Sequence, residues 1–598
     1  MGVKGLETFI EKFCPSDCCY EVSIEKLVED HRKETGGEKP VIVFDGQTIL
    51  RNLYKNLDWV CGGQYKQHME NIKDFLDAFK KLDVEMVFFF GGDHPNVSRK
   101  SSFIAKNNEC LDSANKTFDE LKKGTRVEDL AKWLSKLPVN VGLYYTLEVL
   151  YGCEVHNMVN DAEIAQYAQQ NKCLAVFGQD SDFLIFETGK YYLSAKHFNI
   201  QEMKTKIYDR QKLANSLGLN LMQLPTFATL AGNDIVHYMP FHKTLCKTKG
   251  FRYENFYPPL AAYVKTLPTG EALLTALPDI ARKVFKDPAF ASLLDISIRN
   301  YISPIKIDTS ETGNPEWDEV LRKAEVFHRA NINHPIILRV LSNKPIKAAA
   351  ILEDYSRLNV DLPPSELFLR PLRQKLYGIL LREKPEDVEP HAVEEWINEE
   401  PKGFKGTASR VEPIPPTDLH PGLLELWGSD RSQMMQTLRW QLFVHAISSN
   451  LNHNDLTSLP NNLILPTCVL FYIKEDTILE PWEIETLLAT VVMLPSMPSD
   501  QLADFPADPV EVKAVQIATI FTSSLATTAK LLSVCGFPLP RKKAFSHPYF
   551  DGKLFQNNYR MVKQGVQPKD LIENQELNSD VYIKVHQILF KKTTKNSS

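Results

Sequence analysis

The amino-terminal part of the chain alternates between short apolar runs and stretches in which apolar side chains recur at helical spacing. Helical spacing is clear in Met1–Phe13 and Gln67–Lys81. The apolar runs have the length of buried strands, although periodicity alone also allows a buried helix. These runs are Val41–Phe44, Val84–Phe90, Cys153–Met158 and Leu174–Phe177. Strands that alternate with helices in this way predict an α/β fold with a doubly wound parallel sheet.

Beyond residue 254 the pattern becomes mostly helical, with frequent prolines. Arg370–Arg382 is predicted to form an amphipathic helix with Pro371 in its first turn. Residues 390–421 are rich in proline and glycine, which is typical of a linker. The sequence therefore predicts five segments: a sheet domain at 1–254, a helical middle region at 255–389, a linker at 390–421, a helical carboxy-terminal domain at 422–556 and a basic, polar tail at 557–598.

Length and charge limit the classes of protein that fit. The chain has 598 residues and a mass of 68.2 kDa, enough for two or three domains. A net charge of −6 and a pI near 6.2 exclude nucleic-acid binding through an overall basic field. A nucleic acid would have to contact a local patch, for which the candidates are Arg99, Lys100 and Lys106. Ordinary solvated charges explain these three residues equally well.

The cysteines and apolar runs indicate the cellular environment. The ten cysteines include no CxxC pair, which favours a reducing compartment over a disulfide framework. The richest apolar run, around Val515–Leu532, is interrupted by Thr, Ser and Lys530, so we expect no membrane span. We therefore expect an intracellular protein of the nucleus, the cytoplasm or both.

Two aspartates follow one of the apolar runs directly. Asp180 and Asp182 come after Gly178, at the carboxyl end of a predicted parallel strand, where ligands bind in open α/β sheets. Carboxylates this close repel each other unless a cation or a proton lies between them; the alternative is that they cap a turn or a helix. Further carboxylates near element ends are Asp45, Asp93, Asp161, Glu163 and Asp234. Clustered carboxylates can hold two Mg²⁺ ions about 3.5–4 Å apart for phosphodiester hydrolysis.

Two groups of motifs resemble a known family. The first group resembles the flap endonuclease superfamily and consists of Met1–Leu6, Val43–Gly46, Gly178–Asp182 and Leu230–Asp234. The second resembles one branch, the family of the constitutive coactivator of peroxisome proliferator-activated receptor gamma, with the oxidative-stress-associated Src activator among its relatives. This group consists of Asp58–Gln64, Arg370–Tyr377, Cys535–Pro538 and Phe550–Phe555. The resemblance spans residues 1 to about 560 and implies a PIN-like amino-terminal domain.

The same resemblance implies an incomplete metal site. Four aspartates stand where active nucleases carry aspartate: Asp45, Asp180, Asp182 and Asp234. The aspartate expected after the second strand is missing, because Gly91-Gly92 stands there and Asp93 comes two residues later. The Glu-x-Glu pair is reduced to Val159 and Asp161, with Glu163 two residues further on. His237–His242 occupies the place of the DNA-gripping hairpin.

The resemblance therefore predicts a degenerate nuclease with no catalytic residue and no cofactor. Its vestigial metal ligands would be Asp45, Asp161, Asp180, Asp182 and Asp234. The alternative is an active, Mg²⁺-dependent, structure-selective nuclease.

For function, the resemblance implies a transcriptional coactivator with protein partners, nuclear receptors among them, and RNA binding among its relatives. The chain has no strict Leu-x-x-Leu-Leu receptor motif, and Ile484–Leu488 is the nearest approach. We expect that segment to be part of a helical core. The hypothesis is therefore a non-catalytic adaptor with nuclear receptors as candidate partners, and with RNA or DNA as a second class of ligand.

Overall fold

The structure is a computed structural model of the chain. It describes residues 2–54, 57–91, 100–130, 144–158, 161–236, 253–302, 312–347, 362–397, 408–417, 420–543, 549–572 and 576–591. The chain forms two compact units. Unit 1 comprises Met1–Asn52, Lys73–Phe103 and Cys153–Asp308, and unit 2 comprises Leu53–Ile72, Ile104–Gly152 and Thr309–Ser598. Both units are therefore built from discontinuous segments, and the unit boundaries differ from the predicted segments.

Within its described residues, unit 1 contains one mixed sheet. Its strands are β1 Cys19–Ser23, β2 Val41–Asp45, β3 Glu85–Gly91, β4 Glu154–Met158, β5 Ala175–Gly178, β6 Tyr191–Ser194 and β7 Lys204–Tyr208. They pair in the order β1-β7-β6-β5-β2-β3-β4. The five strands from β6 to β4 run parallel, whereas β7 is antiparallel to both β6 and β1. The predicted α/β class is confirmed, with two antiparallel strands added at one edge.

The predicted apolar runs form β2, β3, β4 and β5. In β5 all four residues are buried, as expected of a strand covered on both faces. Phe44 of β2 lies at the centre of an aromatic cluster, with its ring centroid 4.8 Å from that of Phe88 and 5.4 Å from that of Phe177. Phe75 and Phe79 add edge contacts to the same ring at 5.6 and 5.2 Å. This aromatic packing fixes the two strands whose ends carry Asp45 and Asp180.

Between residues 6 and 302, the described chain forms helices that belong to unit 1, to unit 2 or, in sequence, to both. They are α1 Leu6–Phe13, α2 Ile24–Thr35, α3 Gly46–Tyr54, α4 Tyr65–Lys81, α5 Lys100–Lys122, α6 Tyr144–Tyr151, α7 Asp161–Gln170, α8 Arg210–Leu217, α9 Leu224–Ala231, α10 Tyr253–Lys265, α11 Glu271–Phe285 and α12 Ala291–Ile302. Helix α9 is buried along its whole length, and α10 and α12 pack on it. Because α9 needs this cover, the first part of the predicted middle region belongs to unit 1.

Unit 2 is mostly helical. After residue 312 its helices are α13 Pro315–Arg329, α14 Pro335–Leu341, α15 Ser365–Phe368, α16 Arg370–Leu380, α17 Leu423–Leu426, α18 Gln433–Ile447, α19 His453–Thr457, α20 Ile464–Glu475, α21 Pro481–Met493, α22 Ser499–Asp504, α23 Val512–Val534, α24 Gly552–Lys563 and α25 Glu576–Phe590. Helix α6 also lies in this unit. Among the helices that pack on α23 are α16, α20 and α24.

The stretch predicted as a linker contributes strands to unit 2. In its described part it contains β9 Val393–Trp396 and β10 Ser409–Val411, which pair with each other and, through β9, with β8 Ile346–Lys347. The described part of residues 390–421 therefore belongs to the folded unit 2. The structure thus differs from a free linker between a middle and a carboxy-terminal domain.

One described helix, α23, is long and apolar enough to cross a membrane by length and composition. In unit 2, 78% of its apolar window is buried inside the protein. Its polar side chains, among them Thr519, Thr522 and Ser524, donate to backbone carbonyls one turn earlier in the helix. Helix α23 is accordingly the core helix of a folded unit.

Candidate functional site

The candidate site lies at the carboxyl ends of β2 and β5, which pair in parallel in unit 1. Asp45 is the last residue of β2, and α3 begins at the next residue. Its carboxylate accepts the backbone N–H of Thr48 at 3.2 Å and the Thr48 hydroxyl at 2.5 Å. Burial raises the pKa of Asp45; the Thr48 bonds lower it and the nearby charge of Asp180 raises it. Asp45 is therefore held as the cap of α3 in a largely buried position.

Asp180 and Asp182 lie in the turn after β5. Asp180 caps a short 3₁₀ helix, Ser181–Leu184, and its Oδ1 accepts the N–H of Asp182 at 3.0 Å. Asp182 is only 6% exposed, and its Oδ1 accepts the hydroxyl of Tyr301, at the end of α12, at 2.6 Å. Burial, Asp180 and Asp234 all raise the pKa of Asp182 well above its usual range, against the hydrogen bond from Tyr301. This carboxyl therefore favours its neutral form.

The amino-terminal segment lies directly over this turn. Gly2 has a φ of 42°, and a Cβ at that position would lie 2.2 Å from Oδ1 of Asp180. The hydroxyl of Ser181 donates to the carbonyl of Val3 at 2.9 Å. The Met-Gly start of the chain is thus explained by close packing on Asp180, where any side chain would collide.

Asp234 and Asp161 complete the predicted set. Asp234 follows α9 and lies within electrostatic reach of Asp182. Asp161 is the first residue of α7, which packs on β2 and β5; Asp161 and Glu163 are both half-buried. The structure therefore links Asp45, Asp180, Asp182 and Asp234 by hydrogen bonds or charge, and places Asp161 on the neighbouring helix.

The fit of this set to a metal ion can be tested on the donor geometry. Mg²⁺ takes six oxygen ligands at about 2.0–2.1 Å in a near-octahedral arrangement. Within the described ranges, no group of three or more His, Cys, Asp or Glu side chains is arranged to hold a metal ion. Asp45 and Asp182 instead accept hydrogen bonds from Thr48 and Tyr301. The described carboxylates therefore do not fit a two-metal site.

Several of the predicted site residues lie outside what the structure describes. Asp93, Val159 and Arg99 fall in undescribed ranges, as does the segment 237–242. For Lys100 and Lys106 only the backbone is described, and both residues lie in α5.

Arg541, in the basic run after the Cys535–Pro538 motif, has partners within unit 2. Its guanidinium donates to both carboxylate oxygens of Glu148 at 3.0 and 3.1 Å and to the carbonyl of Asn331 at 2.7 Å. This side chain is therefore engaged within the protein.

Sequence reasoning missed two groups that belong to the site. Tyr301 donates to Asp182 and accepts from Nδ2 of Asn233 at 3.0 Å. Oδ1 of Asn233 in turn accepts the backbone N–H groups of Ile235 and Val236 at 2.9 and 2.8 Å. Asn233 was visible in the Leu230–Asp234 motif, but nothing in the local sequence points from Asp182 to Tyr301.

The second missed group is Glu7 on α1. Its Oε2 accepts the side-chain amide of Gln179 at 2.7 Å, which brings it beside the turn that carries Asp180. Burial raises the pKa of Glu7 to about 7, Lys196 lowers it and Asp180 raises it. The only sequence signal was its position on the helix that follows the Met-Gly start.

Comparisons with known proteins found a matching family model and several similar proteins. A family model described as the XPG I-region matches residues 158–234, which include α7, β5 and the turn with Asp180. A constitutive coactivator of peroxisome proliferator-activated receptor gamma from Bos taurus is 25% identical, over 96% of this chain and 93% of that protein. The protein of that name from Homo sapiens is 30% identical over 240 residues, which cover 40% of this chain and 26% of that protein.

Solved structures similar to this chain include complexes of Rad2 and GEN1 with DNA. The catalytic core of Rad2 in complex with a DNA substrate is 14% identical, with a TM-score of 0.29, and covers 54% of this chain and 94% of that chain. Human GEN1 in complex with Holliday junction DNA is 15% identical, with a TM-score of 0.31, and covers 63% of this chain and 80% of that chain.

Proposed function

We propose that this chain is a non-catalytic adaptor, because it is similar to the constitutive coactivators of peroxisome proliferator-activated receptor gamma and its residues 158–234 match the XPG I-region model. In this proposal it acts as a transcriptional coactivator, and the nuclease-type fold of unit 1 serves as a scaffold. The proposal assigns no catalytic residue.

One observation carries the non-catalytic part of the proposal. The carboxylates of Asp45 and Asp182, at the place where a nuclease would bind metal, are buried and hydrogen-bonded to Thr48 and Tyr301. A metal ligand must be ionised and must direct its oxygens at the ion. Burial and the charge of Asp180 raise the pKa of both carboxyls above the ordinary value of an aspartate, which opposes their ionisation.

The relatives' name motivates the partner class, which is nuclear receptors. The nearest approach to a receptor motif does not supply the contact, because Ile484, Leu487 and Leu488 are at most 2% exposed in α21. An amphipathic helix can dock in a receptor groove only if its apolar face is accessible. We therefore propose that receptor binding uses another surface of the full chain. Binding of the full chain to a purified ligand-binding domain of a nuclear receptor tests this.

Nucleic acid is the second proposed ligand class, with Arg99, Lys100 and Lys106 as candidate contacts. Phosphate contacts release counterions, so binding should weaken steeply as salt rises and should not respond to chelators. The double variant Lys100→Glu/Lys106→Glu should bind nucleic acid more weakly, and its affinity should depend less steeply on the salt concentration. Lys122→Glu, at an exposed position in the last turn of the same helix, is the matched control and should have a smaller effect.

The experiment that tests the absence of catalysis is cleavage of labelled flap DNA, single-stranded DNA and RNA in Mg²⁺ or Mn²⁺. The full chain is compared with the double variant Asp180→Ala/Asp182→Ala. We expect the wild type and the double variant to show the same background level of cleavage. Metal-dependent cleavage by the wild type that the double variant lacks would establish the active nuclease alternative and overturn the proposal.

A further inference from the structure

A cavity in unit 1 has no role in the proposed function. Its volume is about 500 Å³, and its lining comes from α7, the first residue of α8, the start of α9 and the end of α12, together with residues 186–187 and 221–222. All of these residues lie in the continuous stretch of unit 1 from Cys153 to Asp308. Ligand-binding cavities in proteins have volumes of about 300–1,000 Å³, so this one is large enough to receive a ligand.

The inner lining of the cavity is apolar. Ala162 and Ala165 are three positions apart on α7, so they lie on the same face of that helix, and both are buried. Phe186, Pro225 and Tyr301 also line the cavity, and the ring centroids of Phe186 and Tyr301 are 5.0 Å apart. Because alanine side chains are small, α7 leaves room for an incoming apolar side chain.

Two apolar side chains of the cavity lining reach into solvent. Met222 is 69% exposed and Ile302 is 68% exposed, the highest values among the large apolar side chains that the structure describes in unit 1. Single exposed apolar residues are common on protein surfaces, but two at the rim of one cavity indicate a binding surface. Methionine suits such a surface, because its flexible side chain adapts to different partners.

Arg210 adds a cation to the cavity lining. Its Nε donates to the carbonyl of Ile185 at 3.0 Å, and among the described residues no hydrogen bond or ion pair to its two Nη atoms is found. The side chain is half-buried, and burial lowers the pKa of Arg210 while the charge of Glu187 raises it. The Nη groups of an arginine suit a carboxylate, which they bind through charge-assisted hydrogen bonds.

The remaining polar lining is exposed. Glu187 is the only carboxylate among the described lining residues, and it forms no ion pair with Arg210. Gln166 and Gln169 of α7 contribute side-chain amides, each of which can donate and accept hydrogen bonds. The cavity therefore combines an apolar interior with an unpaired guanidinium and polar amides near its opening.

The exposed rim favours a polypeptide over a small molecule as the occupant. Small ligands are mostly enclosed, with about 70–90% of their surface buried. Met222 and Ile302 direct about two-thirds of their surface away from the protein, so a ligand inside the cavity would leave most of that surface in water. A polypeptide that crosses the rim covers both side chains. Methionine and arginine are also enriched where proteins contact each other.

We propose that this cavity binds a segment of a partner protein in which an aliphatic side chain stands next to an aspartate or a glutamate. The aliphatic side chain enters the cavity, the carboxylate accepts hydrogen bonds from Arg210, and the peptide main chain covers Met222 and Ile302. This inference does not rest on the coactivator role, so the receptor-binding experiment above can succeed or fail without affecting it.

The test begins with the selection of random dodecapeptides, displayed on phage, against the full wild-type chain. We expect the enriched peptides to share an aliphatic residue next to Asp or Glu. The Kd of a fluorescein-labelled consensus peptide is then measured by fluorescence polarisation. Arg210→Gln and Met222→Glu should each weaken binding by about tenfold or more. Glu187→Gln, which removes the competing carboxylate, should strengthen binding by about two- to fivefold.

Two matched controls separate the cavity from general effects of charge and exposure. Met434 in α18 is 70% exposed, does not line the cavity and lies in unit 2. Arg282 in α11 is exposed and pairs with Asp279 at 2.6 Å. Met434→Glu and Arg282→Gln should each change the Kd of the consensus peptide by no more than about twofold.

The proposal is overturned if no peptide is enriched, or if the consensus peptide binds Arg210→Gln and Met222→Glu as tightly as the wild type. Met222→Glu changes an exposed side chain, so it keeps the test valid even if Arg210→Gln does not fold. A competition with 4-methylpentanoate, an aliphatic acid of low mass, examines the small-molecule alternative. We expect this acid to displace the peptide only at much higher concentration. Equally tight binding of the acid, unchanged in Met222→Glu, would assign the cavity to a small acid and contradict the proposal.

Discussion

At the scale of single residues, the pair Asp182 and Tyr301 decides how the candidate site is interpreted. The Asp182 carboxyl stands where a nuclease would hold metal, yet a phenol hydroxyl occupies one of its oxygens at 2.6 Å. Tyr301 is itself fixed, because Asn233 donates to its hydroxyl at 3.0 Å. A hydrogen-bonded, buried carboxyl needs no cation for its stability, which supports the proposal that these aspartates are not used for catalysis.

Replacing Tyr301 by phenylalanine tests this pair. Loss of the hydroxyl leaves a buried acceptor unsatisfied, and we expect the free energy of unfolding to fall by about 1–3 kcal/mol. The hydrogen bond from Tyr301 lowers the pKa of Asp182, so its loss should cost more as pH rises and the carboxyl ionises. Urea denaturation at one acidic and one alkaline pH measures both effects.

Tyr192→Phe is the matched control for that substitution. Its hydroxyl donates to the backbone carbonyl of Asp180 at 3.0 Å, an acceptor without charge. The cost of this variant should be similar at both pH values. A pH dependence in the control as large as that of Tyr301→Phe would contradict the role given to Asp182.

At the scale of elements, two motifs that resemble the coactivator family pack on each other in unit 2. The N–H of Gly552 donates to the carbonyl of Gly63 at 2.7 Å, and Gln64 forms a β-bridge with Asp551. The first motif is held internally as well, because the carboxylate of Asp58 accepts the N–H of Cys61 at 2.9 Å. The motifs Asp58–Gln64 and Phe550–Phe555 are therefore two halves of one structural feature.

Gly552→Ala tests this feature. A Cβ at Gly552 would lie 2.4 Å from the carbonyl oxygen of Cys61, so the two segments must separate. We expect a loss of about 2 kcal/mol or more in stability, measured by urea denaturation, with faster proteolysis at residues 53–72. Gly565→Ala in the same unit has a φ of 106° but open space around its Cβ, so it should cost only backbone strain of about 1 kcal/mol. Equal costs for the two variants would contradict the packing argument.

A third family motif, Arg370–Tyr377, is explained by a buried ion pair. Arg373 donates to both oxygens of Glu395 on β9, at 2.7 and 2.9 Å, and the hydroxyl of Tyr377 donates to the same carboxylate at 2.7 Å. Burial raises the pKa of Glu395, but the bonds and charge of Arg373 outweigh it and hold that pKa below its usual value. This network anchors the short sheet of unit 2 to α16.

Glu395→Gln should therefore destabilise the protein by about 3–5 kcal/mol, because it leaves Arg373 without its main counter-charge. The exposed neighbour Glu394 is the matched control, and Glu394→Gln should change the free energy of unfolding by no more than about 0.5 kcal/mol. Chemical denaturation followed by tryptophan fluorescence compares the two. A cost of Glu395→Gln near that of the control would show that the pair contributes little.

The same elements show what the sequence could predict. The parallel strands β2, β3 and β5 were evident because strands covered on both faces are continuously apolar. Strands β1 and β7 were missed because neither is a continuous apolar run: β1 has no buried residue, and in β7 buried residues are interrupted by partly exposed lysines. Asp45, Asp180, Asp182 and Asp234 could be placed together from their positions after β2, β5 and α9. Tyr301 could not, because it lies 119 residues from Asp182 and only tertiary packing brings the two together.

At the scale of the whole molecule, buried titratable groups make stability depend on pH in opposite directions. Burial raises the pKa of Glu7 in unit 1 to about 7 and that of Asp551 in unit 2 to about 7. Burial lowers the pKa of His328 to about 4. A raised carboxyl pKa stabilises the folded state at low pH, whereas a lowered imidazole pKa stabilises it at high pH. These opposite contributions to the free energy of unfolding therefore partly cancel between pH 4 and 7. The contribution of a single group is obtained by comparing the wild type with a variant that lacks its charge.

Asp551→Asn isolates one of these groups. Unfolded, an aspartate has a pKa of about 3.9, so the folded state of the wild type binds this proton more tightly. The contribution of Asp551 to stability is complete below about pH 4 and is lost as pH rises to 7. Asparagine keeps an oxygen for the N–H of Leu554, which Asp551 accepts at 3.0 Å, but carries no charge. The stability of the variant relative to the wild type should therefore increase with pH, by up to about 4 kcal/mol at pH 7, and stay level above it.

Urea denaturation at half-unit steps from pH 4 to pH 8.5 measures this difference curve. Asp287→Asn, which changes an exposed helix cap, controls for the loss of an aspartate at a capping position. The pH range of the rise also identifies its cause. If the buried carboxyl of Asp551 is responsible, the difference in stability rises between the unfolded and the folded pKa of that carboxyl. A flat difference curve would mean that Asp551 is solvated in the folded protein. The packing of Asp58–Gln64 against Phe550–Phe555 would then be looser than the structure describes.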